Sequence, residues 1–161
     1  MINVGDWIRK WSLLQPHKKI LYMEDRPLTC QQVNHRTNQL AHLLLGMGLR
    51  KGDRVAVLLH NCNQYLEIFF ALSKIGGILV PLNWRLAPPE LEFILQDSGA
   101  RILVFEPEFE EAAGVVRRAV GISTDETLCL GDPCPEWARP YEAALLGQSV
   151  HEPAVEWAVG D

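Results

Sequence analysis

The residue set most suited to holding a ligand is Asn83-Trp84-Arg85-Leu86. An amide, a large flat indole and a guanidinium stand in immediate succession, able to stack on a base and pair with a phosphate. Other chemistry-bearing residues are less well arranged. His60 and Cys62 lie close together, but no second pair is spaced to complete a zinc tetrad. His35 and His42 lack the intervening carboxylate of an HExxH helix. Ser73, Ser98, Ser123 and Ser149 sit in no GxSxG turn, so none has a claim to be an activated nucleophile. Gly46-Met47-Gly48 and Gly76-Gly77 lack the spacing of a phosphate-binding loop, and helix termination accounts for both. Glu106, Glu108, Glu110 and Glu111 open a helix that closes with Arg117 and Arg118, an order that matches the helix macrodipole without a metal. No catalytic residue and no metal site is therefore expected in the chain.

The elements around these residues follow from apolar period. Residues 54–59, 78–82, 102–105 and 127–130 are short apolar runs that read as buried strands. Between the first two runs lies a helix with Leu66, Phe69, Phe70 and Ser73 on one face, giving a parallel strand–helix–strand unit. A first helix capped by Asn3 places Val4, Trp7, Ile8, Trp11 and Leu14 on one face and ends at Pro16. Residues 20–23 and 28–29 form a hairpin around Glu24, Asp25 and Arg26.

Thr29 and Gln32 make a capping box for the next helix, in which Val33, Thr37, Leu40, Ala41, Leu44 and Met47 keep the period. Its Arg36, Asn38 and His42 fall on the wet side. Pro88 and Pro89 begin a helix with Leu91, Ile94 and Leu95 inward; Gly99 closes it. A helix over 107–120 follows the third strand, then a loop over 132–140 and a short helix over 141–146. The expected fold is α/β: a doubly wound, mostly parallel sheet with flanking helices over residues 1–147, and an irregular linker or mobile tail over 148–161. In such sheets ligands bind outside the carboxyl ends of the strands, here 60–63, 83–86, 106–108 and 131–133.

At 161 residues the chain has the size of one domain, and 48% hydrophobic with 22% charged residues is an ordinary globular balance. A formal charge of −5, with no Lys/Arg run longer than two, argues against nucleic acid as a partner. No uninterrupted apolar stretch is long enough for a transmembrane helix. The opening Met-Ile-Asn-Val-Gly-Asp-Trp-Ile lacks the features of a signal peptide, so the cytoplasm is the expected location. Cys30, Cys62, Cys129 and Cys134 form no CxxC pair and read as reduced thiols.

The ordered series Gly52-Asp53-Arg54-Val55-Ala56, Asn61, Phe69-Phe70-Ala71-Leu72-Ser73-Lys74-Ile75-Gly76-Gly77 and Pro81-Leu82-Asn83-Trp84-Arg85-Leu86 resembles the amino-terminal region of AMP-forming acyl-CoA synthetases. Luciferases and peptide-synthetase adenylation domains belong to the same superfamily. The resemblance runs in register over 28–101 and more loosely beyond. Gly77 stands where an alanine is common, which reads as a packing change.

The resemblance implies a fragment of an ATP-dependent ligase that converts a fatty or other carboxylic acid to an acyl-adenylate and pyrophosphate, then passes the acyl group to CoA. It implies ATP, Mg2+ and CoA as cofactors of the parent. Asn83, Trp84 and Arg85 would form a loop bordering the CoA nucleotide. The phosphate loop, the ribose-binding aspartate and the catalytic lysine of such enzymes have no counterpart in this chain, so the fragment alone is expected to be inactive. It would pack against the remaining subdomains of its parent, and its sheet faces and first-helix tryptophans, left uncovered, would favour a homodimer. Two other readings stand beside this one: a freestanding, non-catalytic module that binds a nucleotide or a partner, and an adenylation domain with another acceptor. Pro-Leu-Asn-Trp-Arg-Leu leans toward the CoA ligases.

Overall fold

A computed structural model describes residues 4–22 and 27–155. Asn3, the hairpin tip at 23–26 and the stretch 156–161, each assigned a role above, lie outside the described residues. The chain runs α1 (Gly5–Leu14), β1 (Lys19–Leu21), β2 (Leu28–Thr29), α2 (Cys30–Gly46), β3 (Arg54–Leu58), α3 (Asn63–Ile75) and β4 (Ile78–Pro81). It continues with α4 (Pro88–Ser98), β5 (Ile102–Phe105), α5 (Glu110–Val120), β6 (Thr127–Cys129), β7 (Arg139–Pro140) and α6 (Tyr141–Leu145). β1 and β2 form the expected antiparallel hairpin. The main sheet is wholly parallel, in the order β4-β3-β5-β6-β7. Its fifth strand, β7, lies inside the stretch expected to be a loop. Two residues before a helix carry no period, and only pairing with β6 makes them a strand.

Helices cover both faces. On one, Leu40, Leu44, Ile68, Leu72 and Ile75 of α2 and α3 pack on Val55, Val57, Ile102 and Val104. On the other, Leu91, Leu95, Ala113 and Val116 of α4 and α5 pack on Ala56, Leu58, Leu103 and Phe105. The alternating residues of β3 and β5 thus feed two separate cores, the period of a strand buried on both sides. The expectation that the sheet faces lie open is corrected: this chain's own helices close both.

Two helix readings are also corrected. In α3 the inward residues are Ile68, Ala71, Leu72 and Ile75, while Phe69 is exposed and Leu66, Phe70 and Ser73 are half-buried. The helix carries two apolar stripes, and its packing against α2 and the sheet decides which of them is buried. In α2, Asn38 is fully buried and Arg36 and His42 are half-buried, because α3, α6 and the chain after α6 close over the side expected to be wet.

Polar clasps occupy that interface. Glu67 of α3, with no exposed surface, meets Arg36 at 2.5 Å and 3.1 Å and accepts the Tyr141 hydroxyl at 3.0 Å. Arg36 also donates to Glu142 at 2.7 Å. Burial opposes the Arg36 charge, but hydrogen bonds to Glu142 and Glu67 outweigh it and hold the guanidinium ionised. Burial and the neighbouring Glu67 push the Tyr141 hydroxyl well above its ordinary range. Two turns on along α3, Lys74 donates to Asn34, Asn38 and Glu152 at 2.6–2.7 Å. Asn38 donates to the Val150 carbonyl, and the His42 ring meets the carbonyl of His151 at 3.0 Å. Residues 148–155 are irregular, as composition indicates, but these bonds tie them across α2 and α3 rather than leaving them loose.

Candidate functional site at the strand switch

The crossovers leaving β3 and β4 run on opposite faces: α3 packs with α2, and α4 packs with α5. Strand order therefore reverses between β3 and β5, and at that reversal the loops above the carboxyl ends diverge and leave a crevice. Three of the four strand-end segments meet there. His60 follows β3, the loop 83–86 follows β4, and Glu106 to Phe109 follow β5. The fourth, 131–133, lies beside Pro107, with a Cβ built on Gly131 reaching its ring at 3.7 Å.

An aromatic from each loop forms the cluster. The His60 ring lies 4.8 Å from Trp84 and 4.9 Å from Phe109, both tilted, and Trp84 lies stacked 6.2 Å from Phe109. Glu106 fixes the histidine from below: one carboxylate oxygen meets Nδ1 at 2.7 Å and accepts the His60 backbone N–H at 3.1 Å. Glu108 stands at 3.8 Å, close enough to add field but not a hydrogen bond. Arg85 places its guanidinium 4.5 Å from the Trp84 ring centre, a cation–π contact at the solvent edge.

Of the three residues assigned to the loop, Asn83 does not aim its side-chain oxygen outward. That oxygen accepts the Arg85 N–H at 3.1 Å, and the Asn83 carbonyl accepts the Leu86 N–H at 3.0 Å. Asn83 shapes the turn that presents Trp84 and Arg85, which are both exposed. Sequence reasoning passed over Phe109, and it placed His60 at a strand end and weighed it as a zinc ligand but gave its ring no role beside Trp84. The available signal was a ring within four residues of the end of each of three successive strands.

The arrangement offers a half-open aromatic shelf, one cation at its rim and carboxylates behind it. It can stack a planar group and pair with an anion at the Arg85 side. It has no nucleophile held by a base, and no group of three His, Cys, Asp or Glu side chains among the described residues could hold a metal. The four cysteines are free thiols. Cys129 is buried, which pushes its thiol up to about 12, outside the range of a nucleophile.

A family model described as AMP-binding enzyme matches residues 8–157. The fatty acid–[acyl-carrier-protein] ligase ScoC of Streptomyces coeruleorubidus is 40% identical over 127 residues, covering 79% of this chain and 24% of that protein. The long-chain-fatty-acid–CoA ligase FadD13 of Mycobacterium tuberculosis is 37% identical over 159 residues, covering 97% of this chain and 30% of that protein. The chain thus spans less than a third of the length of either relative. Among solved structures, the N-terminal domain of FACL13 from Mycobacterium tuberculosis superposes with a TM-score of 0.85 at 30% identity, over 100% of this chain and 40% of that one. The anthranilate CoA ligase AuaEII, in complex with anthranoyl-AMP, gives a TM-score of 0.87 at 28% identity over 93% of this chain and 29% of that one.

Proposed function

Since the chain belongs to the AMP-binding enzyme family, we propose that it forms the amino-terminal part of an AMP-forming acid–thiol ligase acting on fatty or related carboxylic acids. The observation that carries this is the family match across nearly the whole chain. In the proposed reaction a carboxylate joins the adenylyl group of ATP with release of pyrophosphate, and a thiol then takes the acyl group with release of AMP. We assign no step of the first half-reaction to a residue here. We assign ATP and Mg2+ to later parts of the parent, since this chain contains no spacing of a phosphate-binding loop. The 161 residues alone are therefore inactive in this reading, and the later subdomains of the parent complete the site.

The switch-point cluster fits one component, CoA, whose thiol is the acyl acceptor. Trp84 supplies a stacking surface for its nucleotide, Arg85 a charge for its phosphates, and Asn83 the turn that holds both. His60, Phe109 and Glu106 position the indole. Titration of CoA into the chain, followed by tryptophan fluorescence, is expected to give saturable binding that Trp84→Ala and Arg85→Ala each weaken about tenfold, the scale of one stacked or charge-assisted contact. Equal binding by both variants would remove the loop from the site. Pyrophosphate release from ATP by the unextended chain with any carboxylate would refute its inactivity.

ScoC, which by its name loads an acyl-carrier protein, favours a second reading of the acceptor. Offering the complete gene product CoA and a phosphopantetheinyl carrier protein side by side separates the two. A stop codon directly after Asp161 would instead favour a freestanding binding module. No helix among the described residues is long and apolar enough to cross a membrane, and we place the protein in the cytoplasm.

A further inference from the structure

Charge around the aromatic shelf is uneven. In the three loops that build it, residues 60–63, 83–86 and 106–109, Arg85 is the one guanidinium or ammonium group, against the carboxylates of Glu106 and Glu108. The two carboxylates are differently placed. Glu106 is engaged by the His60 ring and backbone, and its side chain is 20% exposed. Glu108 is 72% exposed, and its nearest cationic neighbour, the His60 Nδ1, is too far at 3.8 Å for a hydrogen bond. The backbone beneath it is fixed: Pro107 opens a single tight turn over Pro107–Phe109, the Phe109 N–H donates to the Glu106 carbonyl at 2.9 Å, and the Phe109 ring packs on His60. Glu108 thus stands at the lip of the shelf, one ring removed from Trp84, with its charge largely uncompensated. Beyond it a groove continues along α5, where Glu110 and Glu111 join Glu108 and Arg118 is the cation.

A planar group stacked on Trp84 can place one phosphate group at Arg85. A further phosphate finds no second guanidinium or ammonium in these loops and lies in the field of Glu108. CoA carries both kinds of group, a 5′-diphosphate and a separate 3′-phosphate on the ribose. Resting on the CoA reading of this site, we infer that Glu108 is a specificity-determining residue: it grades stacked nucleotides by charge, opposing the phosphate that Arg85 leaves unpaired.

The test is calorimetric titration of the complete gene product, at low salt, with CoA and with dephospho-CoA, which lacks the 3′-phosphate. Glu108→Gln is expected to tighten CoA about threefold and Glu108→Lys about tenfold, the scale of one and two unit charges acting on a phosphate about 8 Å away through a solvent-exposed site. Dephospho-CoA should gain less than about twofold from Glu108→Gln, and added salt should shrink every gain. Asp125→Asn, on the exposed turn before β6 at the opposite end of the sheet, controls for net charge and should change neither ligand. CoA binding that Trp84→Ala weakens but Glu108→Gln leaves unchanged would overturn this inference and keep the CoA reading. Equal gains for both ligands, or an equal gain from Asp125→Asn, would also overturn it. Absence of CoA binding in every form would overturn both.

Discussion

Arg36, Glu67 and Tyr141 illustrate how single residues decide more than their types announce. A carboxylate with no exposed surface is costly unless ionised partners and donors surround it, and here a two-pronged guanidinium and a phenol do so. Arg36→Met keeps much of the side-chain volume but leaves Glu67 buried with the tyrosine alone. It is expected to destabilise the fold by about 3 kcal/mol, the usual scale for breaking a buried pair, measured by urea unfolding. Glu67→Gln in the same background should recover part of the loss; if it does not, the cost lies in packing rather than charge. At the site, His60→Ala takes away the ring between Trp84 and Phe109, and the prediction is a red shift of Trp84 emission as the indole becomes more hydrated. An unchanged spectrum, measured in a variant lacking the other tryptophans, would show that the cluster does not hold the loop.

Elements are joined by a few close approaches and by the clasps. A Cβ at Gly5 would lie 2.9 Å from the Lys74 backbone nitrogen, so α1 rests directly on the α3 backbone, which cannot move aside. Gly5→Ala is expected to cost about 1–3 kcal/mol as α1 is pushed outward. Gly77 provides the contrast: the nearest atom a Cβ would meet is the Leu72 Cδ2 at 2.6 Å, the end of a flexible side chain. Gly77→Ala should therefore cost less than Gly5→Ala, and thermal unfolding of the two variants orders them. The stretch 148–155 responds to acid. Burial favours the neutral Glu152 carboxyl, but hydrogen bonds from Lys74, Asn34 and Asn38 outweigh it and hold its pKa below the ordinary value. A carboxyl lowered by folding stabilises fully above its unfolded value and loses that contribution as pH falls through its folded value. Limited proteolysis after α6 should therefore accelerate below about pH 4, and Glu152→Gln should raise the neutral-pH rate and flatten the profile.

For the whole molecule, closure of both sheet faces by helices leaves the two edge strands, β4 and the two-residue β7, as the open parts of the sheet, and β4 is the longer of them. Ile78 is half exposed there, and β4 hydrogen-bonds only to β3. Unpaired strand edges recruit other strands, and we expect the isolated chain to dimerise edge to edge about a twofold axis. Light scattering should report a concentration-dependent dimer that Ile78→Lys abolishes. A strict monomer at high concentration would remove this expectation and leave the edge for later parts of the parent to pair.

Local period and turn chemistry determined much of this protein before any contact was known. Alternation of short apolar runs with helical stretches specified a parallel α/β sheet, because neighbouring residues alone dictate those patterns. Thr29 and Gln32 made the predicted capping box, with hydrogen bonds of 2.9 Å and 3.2 Å, since a cap needs nothing beyond four residues of chain. The strand-end loops were named as the place for a ligand from the same alternation, and that assignment stands as the proposal above. Long-range contact decided the rest. Which stripe of α3 faces the sheet, and whether Asn38 is wet, depends on what lies opposite, and β7 is a strand only because β6 is beside it. The aromatic shelf of His60, Trp84 and Phe109 joins three loops distant in sequence, and no local pattern records a distance between them. Only the reversal of strand order between β3 and β5 brings those rings together.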